Sequence, residues 1–435
     1  MTDPLITGII GIVALLVLVF IGVRVVYAAA AVGLIGLVSL IGWDAGAGLA
    51  GTIPHSKSVT YPLSVLPLFI LIGFLAFYAG LTKALFDAAR KWIGWLPGGL
   101  AVATVFATAG FAAVSGASVA TAAVFARIAI PDMLKAGYDK TLAAGVVAAG
   151  GTLASLIPPS AILVIYAIIV EESVGALLLA GFLPGLVSAM IYVALIVTMA
   201  KLRPDIGRPI TGYSWPERWR SLPGTAPIVG VVVIIFTAIY YGWATPTEAG
   251  ALGAFVVFVI ALIRGMSWKA LSGALVETAK MTVMIFSLIW GVLIFVRFMG
   301  FAGLPGAFAE WIAALDLPPV LIMIAILLGY AVLGMFMDAI GMLILTLPVV
   351  YPAVVALGYD PIWFGIIVVK MAEICLITPP IGLNCYVVHG VRPDIPLGTV
   401  FRGIAPFFIA DVATVGVLLA FPEIVTWLPR TMMGG

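Results

Sequence analysis

The chain has 435 residues, of which 64% are hydrophobic and 9% charged, with a formal net charge of +2. Soluble domains carry roughly 25% charged residues, so this composition excludes an ordinary soluble enzyme and gives a nucleic acid nothing to bind. A mean hydropathy of +1.26 over this length leaves room for about ten membrane spans of ~20 residues.

In chain order, residues 5–23 and 25–43 read as two spans, with Arg24 in a tight connection. The first lacks a basic stretch before it, so it reads as a span and not as a cleaved signal peptide. Residues 44–61 read as a polar loop or surface segment, and 62–80 as a third apolar run. Residues 82–95 mix Lys83, Asp87, Arg90 and Lys91 with Trp92 and Trp95, the pattern of an amphipathic helix at the interface.

Residues 100–130 are apolar but crowded with Ala, Gly, Ser and Thr, and their middle reads Val114-Ser115-Gly116-Ala117-Ser118. This predicts a helical hairpin that enters the bilayer and turns back. Its polar tip is tolerable at depth only when protein or water surrounds it. Residues 141–170 form a span interrupted at Leu156-Ile157-Pro158-Pro159, and 175–200 the next span. The polar stretch 201–223 carries five basic residues against Asp205 and Glu217 and belongs on the cytoplasmic side by the positive-inside bias. Spans follow at 227–242, 244–263 and 269–300. Lys280 and Arg297 of the last suit an interface or a partner helix.

Then the pattern restarts. Ala302-Gly303-Leu304 repeats Ala79-Gly80-Leu81, Leu317-Pro318 repeats Leu96-Pro97, and Gly358-Tyr359-Asp360 repeats Gly137-Tyr138-Asp139. A second hairpin is expected at 320–350, with its tip near Met337-Asp338. A second broken span is expected at 361–389, interrupted at Ile377-Thr378-Pro379-Pro380, and a last span at 404–428. Asp394 falls at the offset of Ser173, and both suit a helix N-cap. Five spans separate Asp139 from Asp360. An odd number puts the two matched units on opposite sides, so the fold class is an all-α polytopic membrane protein built from inverted repeats, each with a re-entrant hairpin and a broken helix.

A proline inside a helix removes one amide donor and frees a carbonyl. At the bilayer midplane a bare carbonyl costs several kcal/mol, and a small hard cation such as Na⁺ can satisfy it. The expected ligands of a first ion are Ser115, Gly116 and Ser118 at the tip with Leu156 and Pro158 at the break. Those of a second are Asp338 with Ile377, Thr378 and Pro379. The competing reading of each break is a kink used for packing, and that of the two serines a close-packing motif. Asp338 is the firmest candidate, because an acid at membrane depth is costly. Lys370 and Glu373, three apart, read either as a mutual ion pair or as one partner of an anionic substrate. Asn384 either bonds substrate or caps broken backbone. Cys375 and Cys385 form neither a disulfide nor, with the isolated His55 and His389, a metal site. No nucleophile–base pair, Walker loop or dinucleotide motif occurs, so no enzymatic activity is expected.

Taken together, Ser115-Gly116-Ala117-Ser118-Val119-Ala120-Thr121, Leu156-Ile157-Pro158-Pro159-Ser160, Phe336-Met337-Asp338 and Glu373-Ile374-Cys375-Leu376-Ile377-Thr378-Pro379-Pro380-Ile381-Gly382-Leu383-Asn384 resemble the large membrane subunit of tripartite ATP-independent periplasmic (TRAP) transporters, over essentially the whole chain. Cys375 stands where the family usually has glycine. The resemblance implies Na⁺ symport of a small organic anion, with two or more Na⁺, across the bacterial inner membrane. It implies two partners: a periplasmic substrate-binding protein and a small four-helix membrane subunit, expected as a separate chain. It also implies an elevator, with scaffold helices at 1–80 and 225–300, transport elements at 81–200 and 301–435, and the connection 201–224 between them. Ser160, Glu373 and Asn384 would then touch substrate. The alternative is a stand-alone symporter of the same superfamily.

Overall fold

Without water, every backbone amide must find a partner inside the chain, and helices are the simplest solution. A computed structural model describes residues 3–335, 337–380 and 382–432. Helix is the only regular structure among the described residues, which hold no strand.

The first helices are α1 (Pro4–Phe20), α2 (Val25–Ile41), α3 (Trp43–Ser58), α4 (Val65–Tyr78) and the amphipathic α5 (Leu81–Ile93). The hairpin expected at 100–130 is α6 (Gly99–Ser115) followed by α7 (Ser118–Lys135). The interrupted span is α8 (Lys140–Leu156) and α9 (Ala161–Val170), and α10 (Val174–Leu202) follows it. Short α11 (Trp215–Ser221) leads into α12 (Ala226–Tyr240), α13 (Pro246–Ile263) and the 34-residue α14 (Trp268–Phe301). The second series is α15 (Leu304–Ala313), α16 (Pro319–Gly334) and α17 (Ala339–Ala356), then α18 (Pro361–Cys375) and α19 (Leu383–Val391), α20 (Leu397–Ala420) and α21 (Glu423–Met432). Phe336 and Ile381, members of the repeated motifs, lie outside the described residues.

Seven helical stretches among the described residues are long and apolar enough to cross a bilayer, with α8 and α9 together forming one of them. The bent pair α11 and α12 makes an eighth if it is one span. Helices α1, α2, α6 and α16 are apolar but shorter.

The repeated punctuation has a local cause. Gly137 and Gly358 adopt φ of +80° and +83°, the left-handed turn that stops a helix. Asp139 then accepts from the Thr141 amide at 2.8 Å, and Asp360 from the Trp363 amide at 2.9 Å. These are N-caps that start α8 and α18. Gly80 and Gly303, both at φ +71°, start α5 and α15 in the same way.

Three expectations are corrected. Residues 44–61 are a largely exposed segment but not a loop: α3 is helical through Pro54 to Ser58. Asp394 caps nothing, because α20 begins later, at Leu397 behind Pro396. Its carboxylate pairs with Arg392 at 2.6 Å, and that guanidinium holds it at about 2, so it is charged at any physiological pH. The last span ends at Ala420, where Pro422 cannot continue the helix, and α21 is a separate helix.

Helix α2 packs along α14, and α4 packs on α13 and α14. Helix α8 lies among α6, α7 and α20, while α18 lies among α16, α17, α10 and α20. The α8–α20 crossing depends on paired glycines. A Cβ at Gly145 would stand 2.3 Å from the Gly403 carbonyl oxygen, and one at Gly403 2.1 Å from that of Thr141. Small residues let membrane helices approach this closely.

Candidate functional site at the hairpin tips and helix breaks

The first tip docks onto the first break. Helix α6 ends at Ser115, and Gly116 turns the chain at φ +58°. A Cβ at Gly116 would stand 2.4 Å from the Pro159 carbonyl oxygen, so only glycine fits both the conformation and the space. Ser118 Oγ lies 2.6 Å from Ser155 Oγ, and Ser115 Oγ 3.0 Å from Thr121 Oγ1. Ser160 caps α9 by accepting from the Leu163 amide at 3.3 Å, and its hydroxyl donates to the Ser155 carbonyl. Gly116, Ser118 and Ser160 therefore gather at the Pro158-Pro159 pair, which is cis, while Ser115 bonds within its own hairpin. The carbonyl of Leu156 faces α10, where Gly181 leaves it room.

The second break is wound more tightly. Leu376 and Thr378 continue in turns, with the Thr378 hydroxyl donating back to the Ile374 carbonyl at 2.6 Å. The Leu376 carbonyl accepts the Asn384 amide at 3.0 Å, and the Ile377 carbonyl faces the Cys385 thiol at 3.8 Å. Pro379-Pro380 is also cis. Asp338, expected to bind an ion, caps α17 by accepting from the Gly341 amide at 2.9 Å. An ionised carboxylate has lone pairs beyond that one bond, so the cap leaves it able to accept more.

Asn384 joins α19 to α8. Its side-chain nitrogen donates to the Ala148 carbonyl on α8 at 3.1 Å, while its oxygen is buried without a partner. Beside it, Gly151 faces both Asn384 and the Ser118 carbonyl; a Cβ there would stand 3.1 and 2.9 Å from them. A side chain of the second break thus lies against the first tip.

Glu373, expected to touch substrate, is instead fully enclosed. Its partner is Lys370 at 2.9 Å, as the ion-pair reading has it. Lys370 also meets Asp411 of α20 at 2.7 Å and Ser188 of α10 at 2.9 Å. Tyr192 donates to Asp411 at 2.7 Å, and Thr152 lies 3.3 Å from the Tyr192 hydroxyl. One lysine thus faces two carboxylates, and Glu373 Oε1 and Asp411 Oδ2 are buried without hydrogen bonds. Sequence reading missed Asp411, although an acid inside an apolar span was itself the signal. Lys280 is accounted for locally, by Glu277 at 3.4 Å.

A helical hairpin whose tip meets the break of an interrupted helix, among seven helical stretches able to cross a bilayer, defines a polytopic membrane protein. The fold agrees: the Alcanivorax borkumensis YdaH transporter superposes with a TM-score of 0.60 at 14% identity, covering 88% of this chain and 90% of its own. The family model "Tripartite ATP-independent periplasmic transporter, DctM component" matches residues 12–424. The C4-dicarboxylate TRAP transporter large permease protein of Pseudomonas aeruginosa is 35% identical over 86% of each chain. The sialic acid TRAP transporter large permease protein of Vibrio cholerae is 30% identical over 86% of this chain. The chain belongs to the TRAP transporter large permease family.

Proposed function

We propose that this permease takes up a small organic anion, a carboxylate or sulfonate, by Na⁺ symport across the bacterial inner membrane. In this reading a periplasmic binding protein delivers the substrate, a small membrane subunit braces the scaffold, and the two units are inverted repeats of an elevator. The observation that carries the reading is the docking of the first tip on the first break, with Gly116 against Pro159 and Ser118 against Ser155. Hydroxyl and carbonyl oxygens brought together at membrane depth suit a small hard cation, which prefers oxygen ligands. Asp338 and the carbonyls of Ile377, Thr378 and Pro379 are the corresponding set in the second unit. A bound cation beside a tip favours an anion there, so substrate binds better after the ions. In this reading the substrate also reaches Ser160 and Asn384, both fully buried in the conformation described here. C4-dicarboxylate and sialic acid are the two relatives' cargoes, and both are organic acids.

The test is reconstitution in liposomes with the small subunit and binding protein, under an inward Na⁺ gradient, with a labelled C4-dicarboxylate and a labelled sialic acid as probes. Uptake should require the Na⁺ gradient, and Ser115→Ala or Asp338→Ala should abolish that requirement together with most of the uptake. Uptake by the permease without any binding protein would favour the stand-alone symporter. Unchanged Na⁺-dependent uptake in both variants would remove the ion-site assignment.

A further inference from the structure

A cavity of about 360 Å³ opens beside the first hairpin. Helix α4 lines it with Phe74 and Tyr78, α14 with Glu277, and the hairpin with Ser115 at the tip and Arg127 on α7. The volume lies at the low end for small-molecule sites, enough for a small organic acid. Most of the wall is apolar.

Two charges interrupt it, and they differ. Glu277 has Lys280 at 3.4 Å. Arg127 is exposed to the cavity and, among the described residues, has neither an ion pair nor a hydrogen bond. A second arginine near this hairpin, Arg90, is already held by Asp87 and Asp132, each at 3.2 Å. An arginine on a hairpin set among membrane helices is costly unless it meets water or a partner. A guanidinium presents a planar fork of donors that matches a carboxylate or sulfonate.

The geometry also links Arg127 to the tip. It follows Ser118 by nine residues on α7, about 13–14 Å along a helix. Helical side chains lean toward the N-terminus, which in α7 is the tip. The long Arg127 side chain therefore closes part of that distance, and Ser115 lines the same cavity.

We infer that Arg127 is an anion-recognition residue of this permease: its guanidinium binds the oxyanion group of a small organic acid in the cavity between α4, α14 and α7, on the approach to the first tip. This deepens the organic-anion reading above and rests on it for the identity of the ligand.

The experiment has one arm that needs no transport. In the purified full chain in detergent, Ala123→Cys places a thiol on the cavity wall, and the native Cys375 and Cys385 are buried. The thiol is labelled with an anionic and with a cationic methanethiosulfonate reagent. The anionic-to-cationic rate ratio should fall about tenfold when Arg127→Gln is added and stay high with Arg127→Lys, which keeps the charge. Succinate should slow labelling in the Ala123→Cys chain, and glycerol should not. In the second arm, reconstituted uptake of succinate should show a KM raised about tenfold or more by Arg127→Gln, less by Arg127→Lys, with Na⁺ dependence retained. An unchanged rate ratio with no protection by succinate would overturn the assignment, even if uptake is robust. Absence of uptake in the unaltered permease would instead count against the symport reading, and the labelling arm would still decide the role of Arg127.

Discussion

Cys375 illustrates how one residue is answered by another. A glycine-to-cysteine exchange in α18 adds a thiol in a region packed on every side. The facing position on α16 is Gly334, where a Cβ would stand 2.5 Å from Cys375 Cβ and closer still to its sulfur. The thiol itself lies 3.1 Å from the Met371 carbonyl. The thiol has room there because the facing helix carries no side chain at that point. Overpacking costs typically 1–3 kcal/mol, so Gly334→Ala should destabilise the detergent-solubilised protein by about that much, read as a lowered thermal midpoint. Cys375→Gly in the same chain should restore it. A double variant as unstable as the single one would show that the contact is not what limits the site. The candidate ligands were legible residue by residue because hydroxyls, an acid and double prolines are conspicuous in apolar sequence. Their bonding was not: Asp338 and Ser160 turned out to be helix caps, a role that depends on where the backbone starts to coil.

Between elements, a fully buried charged contact joins α18, α20 and α10. Lys370 is the single positive charge among Glu373 and Asp411, all three fully buried. Breaking such a group by removing one partner costs about 3–5 kcal/mol, because a buried charge is left uncompensated. Lys370→Met should therefore destabilise strongly in a thermal unfolding assay. The triple variant Lys370→Met, Glu373→Gln, Asp411→Asn should be clearly more stable than the single one, since it leaves no buried charge. Equal loss in both would mean that packing and not charge dominates there. At this scale most of the helices could be read from the chain, because glycine turns, aspartate caps and prolines bound them. Helix α3 could not: its glycines, Pro54 and polar end look like a loop, and neighbours α2 and α14 supply the packing that holds it helical. Helix α21 was hidden by apolar sequence that runs on past Pro422.

Across the whole molecule, α4 and the first hairpin meet at one close point. A Cβ at Gly73 would stand 2.6 Å from Ser115 Cα. If the hairpin slides past α4 during transport, a bulky side chain at this point obstructs the conformation described here. Gly73→Leu should leave the protein inserted and folded, as size-exclusion chromatography reads it, while lowering the uptake rate at least tenfold at saturating substrate, a barrier increase of about 1.4 kcal/mol or more. Unimpaired uptake would place the moving surface elsewhere.

Composition, the repeated Gly-Tyr-Asp and double-proline punctuation, and the two polar tips together determined a membrane-embedded helical chain that carries the same helix-bounding signals twice, since each is a statement about local backbone chemistry. Which surfaces touch was left to the tertiary structure. Asn384 reaches Ala148, and Lys370 finds Asp411 and Ser188. These pairs are far apart in the chain and share no spacing rule. In an almost uniformly apolar sequence every helix face is equally able to meet lipid or protein, so only packing selects the faces that bury charge and enclose the tips.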